Sequence, residues 1–162
     1  MISSILVVEN DKDFRKTVCD YLIIAGYKVS ETEFLPQAEE MLKSHKFDAA
    51  IVDVRMKDDE NSFDWSGLVL ARTIAGYKVP VVILTAHDST DDVERAYTVA
   101  PGVKPPAAFI SKNDPHYLEK LSQRIEELAV SLKVRPGNWL KQNWEKLADF
   151  IIGVLKKIFK FG

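Results

Sequence analysis

Ile5-Leu6-Val7-Val8 and Ala49-Ala50-Ile51-Val52 are short apolar runs, and each stops at an acid: the first at Glu9-Asn10-Asp11, the second at Asp53. Runs of this length, rich in Val and Ile and without polar interruption, read as strands buried on both faces. Two more follow. Val79-Pro80-Val81-Val82-Ile83-Leu84 ends in Thr85-Ala86, and Ala107-Ala108-Phe109-Ile110-Ser111 ends in Lys112. Strands of this kind belong to a parallel sheet covered by helices, and their carboxyl ends share one edge, where ligand crevices form. The four run ends would therefore gather, in order, acid, acid, hydroxyl and amine. Oxygen ligands at one edge suit a hard cation such as Mg²⁺. A carboxylate beside that cation can act as a nucleophile toward phosphorus.

Helical spacing fills the intervals. Asp11–Ala25 places Phe14, Val18, Tyr21, Leu22 and Ala25 on one face, with Asp11 as N-cap and Gly26 as the stop. Tyr27–Glu31 reads as a short second strand. Pro36 suits the first turn of a helix reaching about His45, with Ala38, Met41 and Leu42 inward. The third strand is Phe47–Asp53, and Ser66–Ala75 carries Leu68, Ala71 and Ile74 at helical spacing. After the strand Val79–Leu84 comes a helix, Asp88–Val99, opened by acids. The strand Ala107–Ser111 then leads to a helix over Asp114–Leu132, with Leu118, Leu121, Ile125, Leu128 and Leu132 in steps of three and four. The alternation predicts an α/β fold, a doubly wound five-stranded parallel sheet with helices on both faces. Strand order does not follow from the residues themselves.

Taken together, the four run ends resemble the receiver domain of two-component response regulators, over roughly residues 3 to 130. The resemblance implies a flavodoxin-like strand order, 2-1-3-4-5, and a phosphoryl-transfer site. In it Asp53 is the phosphoacceptor, taking a phosphoryl group from a histidine kinase or phosphotransfer protein. Glu9 and Asn10 stand where the family carries an acidic pair for Mg²⁺, and the backbone carbonyl of Arg55 is the remaining protein ligand. Thr85 matches the switch hydroxyl, Ala86 leaves room for the phosphoryl group, and Lys112 pairs with its charge. Phe109 falls at the switch-aromatic position, where a plain core aromatic is an equal reading.

Several departures stand beside the match. Asn10 offers an amide oxygen without charge, so weaker Mg²⁺ affinity is expected than from two carboxylates. Lys57-Asp58-Asp59-Glu60-Asn61-Ser62-Phe63-Asp64-Trp65 is an acidic insertion beside the site. It could screen the pocket, repel phosphate or dock a partner through Phe63 and Trp65. Lys112 is followed by Asn113 instead of the usual Pro, so the customary cis peptide is not guaranteed. Val99-Ala100-Pro101-Gly102-Val103-Lys104-Pro105-Pro106 is a long, Pro-rich link to the fifth strand.

Charge divides the chain. Residues 1–132 hold 15 Lys and Arg against 22 Asp and Glu, a net of −7; residues 133–162 hold 7 against 2, a net of +5. The acidic part argues against nucleic-acid binding. The single Cys19 fits a reducing compartment and, among apolar neighbours, reads as a packed thiol. No signal peptide is expected, and the expected location is the cytoplasm. His45, His87 and His116 show no ligand spacing. The expected organisation is a receiver over 1–132, a linker over 133–137 marked by Pro136-Gly137, and an extra C-terminal amphipathic helix over 138–162. There Leu140, Trp144, Leu147, Ile151, Val154 and Ile158 form one seam, with lysines opposite. Burial against protein, including a homodimer, is the leading expectation for that seam, and peripheral contact with an anionic membrane is the other.

The leading functional reading is therefore a phosphoryl-accepting receiver that signals to a downstream protein, and not a conventional enzyme. The alternative is a receiver-derived interaction module that phosphorylation does not regulate. A dehalogenase-like phosphatase would need a second Asp two residues after the nucleophile, where Arg55 stands.

Overall fold

A computed structural model describes residues 4–58, 60, 61, 63–86 and 108–133. The helix expected over Asp88–Val99, the Pro-rich link and the whole basic segment 138–162 lie outside the described residues. By contacts the chain divides after Ala129, within the last described helix, so all elements but the end of that helix belong to the first unit.

The elements run β1 (Ser4–Val8), α1 (Lys12–Ile24), β2 (Lys28–Thr32), α2 (Leu35–Ser44), β3 (Ala49–Val52), α3 (Ser66–Gly76), β4 (Val81–Thr85), β5 (Ala108–Ser111) and α4 (Tyr117–Lys133). The sheet is parallel throughout, in the order β2-β1-β3-β4-β5. Alternation of side chains along a strand gives each face its own core. Leu6, Val8, Ala50, Val52 and Ile83 pack with Ala38 and Leu42 of α2 and Leu68, Ala71 and Ile74 of α3. Ile5, Val7, Ala49, Ile51, Val82, Leu84 and Ile110 pack with Val18 and Leu22 of α1 and Leu121 and Ile125 of α4. This two-sided burial is why β1, β3 and β4 read as unbroken apolar runs, whereas the edge strand β2 is polar and partly exposed.

Boundaries differ from the expected ones by one to three residues. β3 is shorter at both ends, and β4 begins at Val81 and takes in Thr85. Ala25, expected on the inner face of α1, is exposed and forms its C-cap; Gly26 follows at φ +92°, a conformation that favours glycine. Asp11 is the N-cap as expected: its Oδ1 accepts from the N–H groups of Asp13 and Phe14, at 2.9 and 2.8 Å. α4 starts at Tyr117 and not at Asp114, because Asp114 first closes a turn, accepting from the His116 N–H at 2.9 Å.

Register brings the strand ends level. Val8 stands opposite both Thr32 and Val52, Val52 opposite Ile83, and Thr85 opposite Ser111. Beyond the strands the backbone pairing continues for one step: Asp53 N–H donates to the Val8 carbonyl at 3.1 Å and Lys112 N–H to the Thr85 carbonyl at 2.8 Å. Glu9, Asp53 and Lys112 are thereby fixed along one edge.

Candidate functional site

Asp53 and Glu9 are both 3% exposed. Two carboxylates this far from water need a cation or hydrogen bonds, and Lys112 supplies the cation. Its Nζ lies 2.7 Å from Glu9 Oε2 and 3.0 Å from Asp53 Oδ2. The remaining oxygens accept from backbone: Asp53 Oδ1 from Val54 N–H at 2.7 Å, Glu9 Oε1 from Asp11 N–H at 3.1 Å. The ammonium also sits 4.5 Å from the ring centroid of Phe14, whose ring stacks on Tyr117. Lys112 is thus held on three sides, and Phe14 is a contact that sequence reasoning placed only in the core.

The electrostatics follow from this burial. Loss of solvent pushes Glu9 up to about 7; Lys112 opposes that shift and the neighbouring Asp53 charge adds to it. For Lys112, burial acts downward, but the attraction of Asp53 and Glu9 outweighs it and raises the pKa above the ordinary lysine value. The ammonium therefore stays charged at neutral pH, and the site keeps a fixed cation beside a buried carboxylate.

The other expected residues are placed as follows. Thr85 is wholly buried at the end of β4. Ala86 is exposed, and its carbonyl accepts from Asn113 Nδ2 at 3.1 Å. Asn113, noted in the sequence only as a missing proline, ties the β5 end to the β4 end. Among the described residues there is no cis peptide. Phe109 is half-buried and packs on the core shared with α2 and α3. Arg55 is buried two residues beyond Asp53.

Among the described residues no group of three or more His, Cys, Asp or Glu side chains stands ready to hold a metal ion. The donor set suited to Mg²⁺ is mixed. Glu9 and Asp53 give carboxylate oxygens, and Asn10 Oδ1 is buried without a hydrogen-bond partner. A buried acceptor left unpaired is costly, and a hard cation is the partner such an oxygen takes. In donor type the residues present fit Mg²⁺.

The insertion after β3 is organised, which its composition did not announce. Asp64 is 8% exposed. Its Oδ2 accepts from the Lys57 and Asp58 N–H groups at 2.7 and 2.9 Å, and its Oδ1 from Ser66 N–H at 3.0 Å. Ser66 Oγ in turn accepts from Met56 N–H at 3.3 Å. Of the two aromatics named for the docking alternative, Trp65 packs partly buried against the core, while Phe63 is 75% exposed. Just beyond, Gly67 approaches the end of β3 so closely that a Cβ there would lie 1.6 Å from the Asp53 carbonyl oxygen.

Residues 5–105 match the response regulator receiver domain family. This chain belongs to that family. The receiver is 31% identical over 141 residues to the swarming motility regulation protein RssB of Serratia marcescens, covering 87% of this chain and 58% of that protein. It is 25% identical to the regulatory protein VirG of Agrobacterium tumefaciens, covering 84% of this chain and 46% of the other. The chain thus spans about half the length of these curated relatives. A CheY-like receiver domain from Methanospirillum hungatei superposes with a TM-score of 0.63 at 18% identity, over 81% of this chain and 99% of that one, which supports the fold. The flavodoxin-like order is the one observed. Receivers of two-component systems partner with histidine kinases or phosphotransfer proteins and generally are not enzymes in their own right, and Mg²⁺ at the phosphorylation site is typical of them. No helix among the described residues is long and apolar enough to cross a membrane.

Proposed function

We propose that Asp53 accepts a phosphoryl group from a phosphohistidine of a kinase or phosphotransfer protein. The observation that carries this reading is the placement of Lys112 Nζ between Glu9 and Asp53, at 2.7 and 3.0 Å, at the end of a parallel sheet. Asp53 Oδ2, the oxygen beside the ammonium, attacks phosphorus; the O–P bond forms as the N–P bond of the donor breaks, and the leaving imidazole keeps the electron pair. Lys112 then exchanges its contact with Asp53 for one with the phosphoryl oxygens, whose charge it balances. Thr85, at the adjoining strand end, donates its hydroxyl hydrogen to the phosphoryl group, and Ala86 leaves it space. Glu9, Asn10, Asp53 and the Arg55 carbonyl would hold Mg²⁺, which when bound neutralises phosphoryl charge. The outcome is a shift between receiver conformations read by a downstream protein, with Thr85 and Phe109 as its switch.

We assign residues 1–132 to the receiver and 133–137 to a linker. The output goes to 138–162, whose seam would pair with a second copy, another protein or an anionic membrane. The second reading, a module that phosphorylation does not regulate, draws on the neutral Asn10 side chain and on the fact that Lys112 is already paired by two carboxylates. Incubation with acetyl phosphate and Mg²⁺, followed by intact mass, separates the two. The leading reading expects a gain of one phosphoryl group that is absent in Asp53→Ala. No gain, together with no binding of beryllofluoride, leaves the second.

A further inference from the structure

Arg15, on the second turn of α1, is 12% exposed at its side chain and makes polar contacts in two directions. Nη1 donates to the Glu9 carbonyl at 2.6 Å and reaches the Asn10 carbonyl at 3.5 Å. On its other side Nε pairs with Glu31 Oε2 and Nη2 with Glu33 Oε2, each at 3.1 Å. Glu31 is further engaged by the thiol of Cys19, at 3.6 Å. One planar guanidinium thus ties the loop after β1 to the end of β2, a task for which its fork of donors is suited and a lysine's single ammonium is not.

The loop it grips is the one whose side chains form the cation half of the site. With the Glu9 and Asn10 carbonyls turned toward Arg15, the carboxylate of Glu9 lies on Lys112, and Asn10 Oδ1 is buried without a partner. We infer that Arg15 is a positioning residue for divalent-cation binding: it fixes the backbone of Glu9 and Asn10 so that their oxygens are arranged for the ion before the ion arrives. The inference rests on the reading of Glu9, Asn10 and Asp53 as metal ligands. Outer groups that orient ligands commonly change metal affinity by about tenfold or more when removed.

The test is titration of the full chain with Mn²⁺, followed by loss of the free-ion electron paramagnetic resonance signal, alongside melting in a chelator. Arg15→Met should weaken Mn²⁺ binding about tenfold. Arg15→Lys, which keeps one contact of the three groups, should fall between it and the wild type. Glu31→Gln with Glu33→Gln, which loosens only the far end, should also weaken binding, and it decides the matter if Arg15→Met does not fold. Folded variants that melt lower without metal but bind Mn²⁺ with wild-type affinity overturn the inference and leave Arg15 as a brace between β1 and β2. If the wild-type chain binds no Mn²⁺ at all, the metal-site reading itself has failed, and the positioning role falls with it.

Discussion

The two loops at the strand ends that carry Glu9 and Asp53 are secured in opposite ways. Between β1 and α1 there are three residues, 9–11; between β3 and α3 there are thirteen, 53–65. The short loop is gripped from outside by a cation, Arg15, which covers its carbonyl oxygens. The long loop is gripped from within by an anion, Asp64, which collects its N–H groups. In both, one ionised side chain satisfies several backbone groups that water would otherwise serve. The difference lies in what is left over. The first device frees Glu9 and Asn10 to face the site, whereas the second gives an acidic insertion a definite shape without using Asp53.

The largest expected effect comes where the long loop meets the sheet. Gly67 N–H donates to the Val54 carbonyl at 2.9 Å, and its Cα lies against the Asp53 backbone. In Gly67→Ala the new methyl would collide with backbone that cannot step aside, so α3 must shift from the sheet. A loss of more than about 3 kcal/mol is expected, at the upper end of overpacking costs, measured by urea unfolding. A loss under about 1 kcal/mol would show that the loop is not pinned at this point.

Asp64 comes next. Its removal leaves the N–H groups of Lys57, Asp58 and Ser66 without their acceptor, and Asp64→Ala should cost about 2 kcal/mol. Burial pushes the Asp64 carboxyl up, but the hydrogen bonds from Ser66, Asp58 and Lys57 outweigh it and hold the pKa below the ordinary carboxylate value. A depressed folded pKa stabilises above the unfolded value, about 4, and that contribution is lost as pH falls through the folded pKa. The gap between wild type and Asp64→Ala, followed by denaturant unfolding, should therefore be full at pH 6 and should narrow below about pH 4. A gap that stays constant down to the acid transition would mean that the carboxylate charge does not hold the loop.

How much of this was legible depended on whether the signal was local. The strands were, because two-sided burial writes itself as unbroken Val, Ile and Ala, and the polar residue that ends each run marks the edge. The convergence of Glu9, Asp53, Thr85 and Lys112 on one edge followed, since parallel strands bring their ends level. The pairing of Glu9 with Lys112 did not follow, because the contact spans the sheet and no spacing announces it. Arg15 shows nothing in the sequence beyond a polar position on an amphipathic helix; its partners lie on other elements. Asp64 was hidden among Asp58, Asp59 and Glu60, acids of the same composition but different burial. Asn113 was noticed for what it replaces, and its bond to the Ala86 carbonyl depends on β4 and β5 being neighbours.

The smallest expected effect tests whether the shape of the long loop comes from Asp64 or from its aromatic residues. Sequence treats Phe63 and Trp65 alike, as apolar residues in an acidic insertion. The structure separates them: Phe63 is 75% exposed, whereas Trp65 is partly buried against the core that holds α3. Truncation of an aromatic matters in proportion to the contacts it removes. Trp65→Ala should therefore cost about 1–2 kcal/mol, less than a fully buried aromatic would. Phe63→Ser should stay within about 0.5 kcal/mol of wild type, as surface changes do. Both are read from denaturant midpoints at constant slope. Phe63→Ser also leaves intact its own N–H bond to Asn61 Oδ1, at 2.9 Å, so the backbone of the loop has no reason to move. If Phe63→Ser proves as costly as Trp65→Ala, the ring is packed in solution, and the loop is held by an apolar contact in addition to its anion. In that case the contrast with the short loop, which depends on charge and backbone alone, becomes wider.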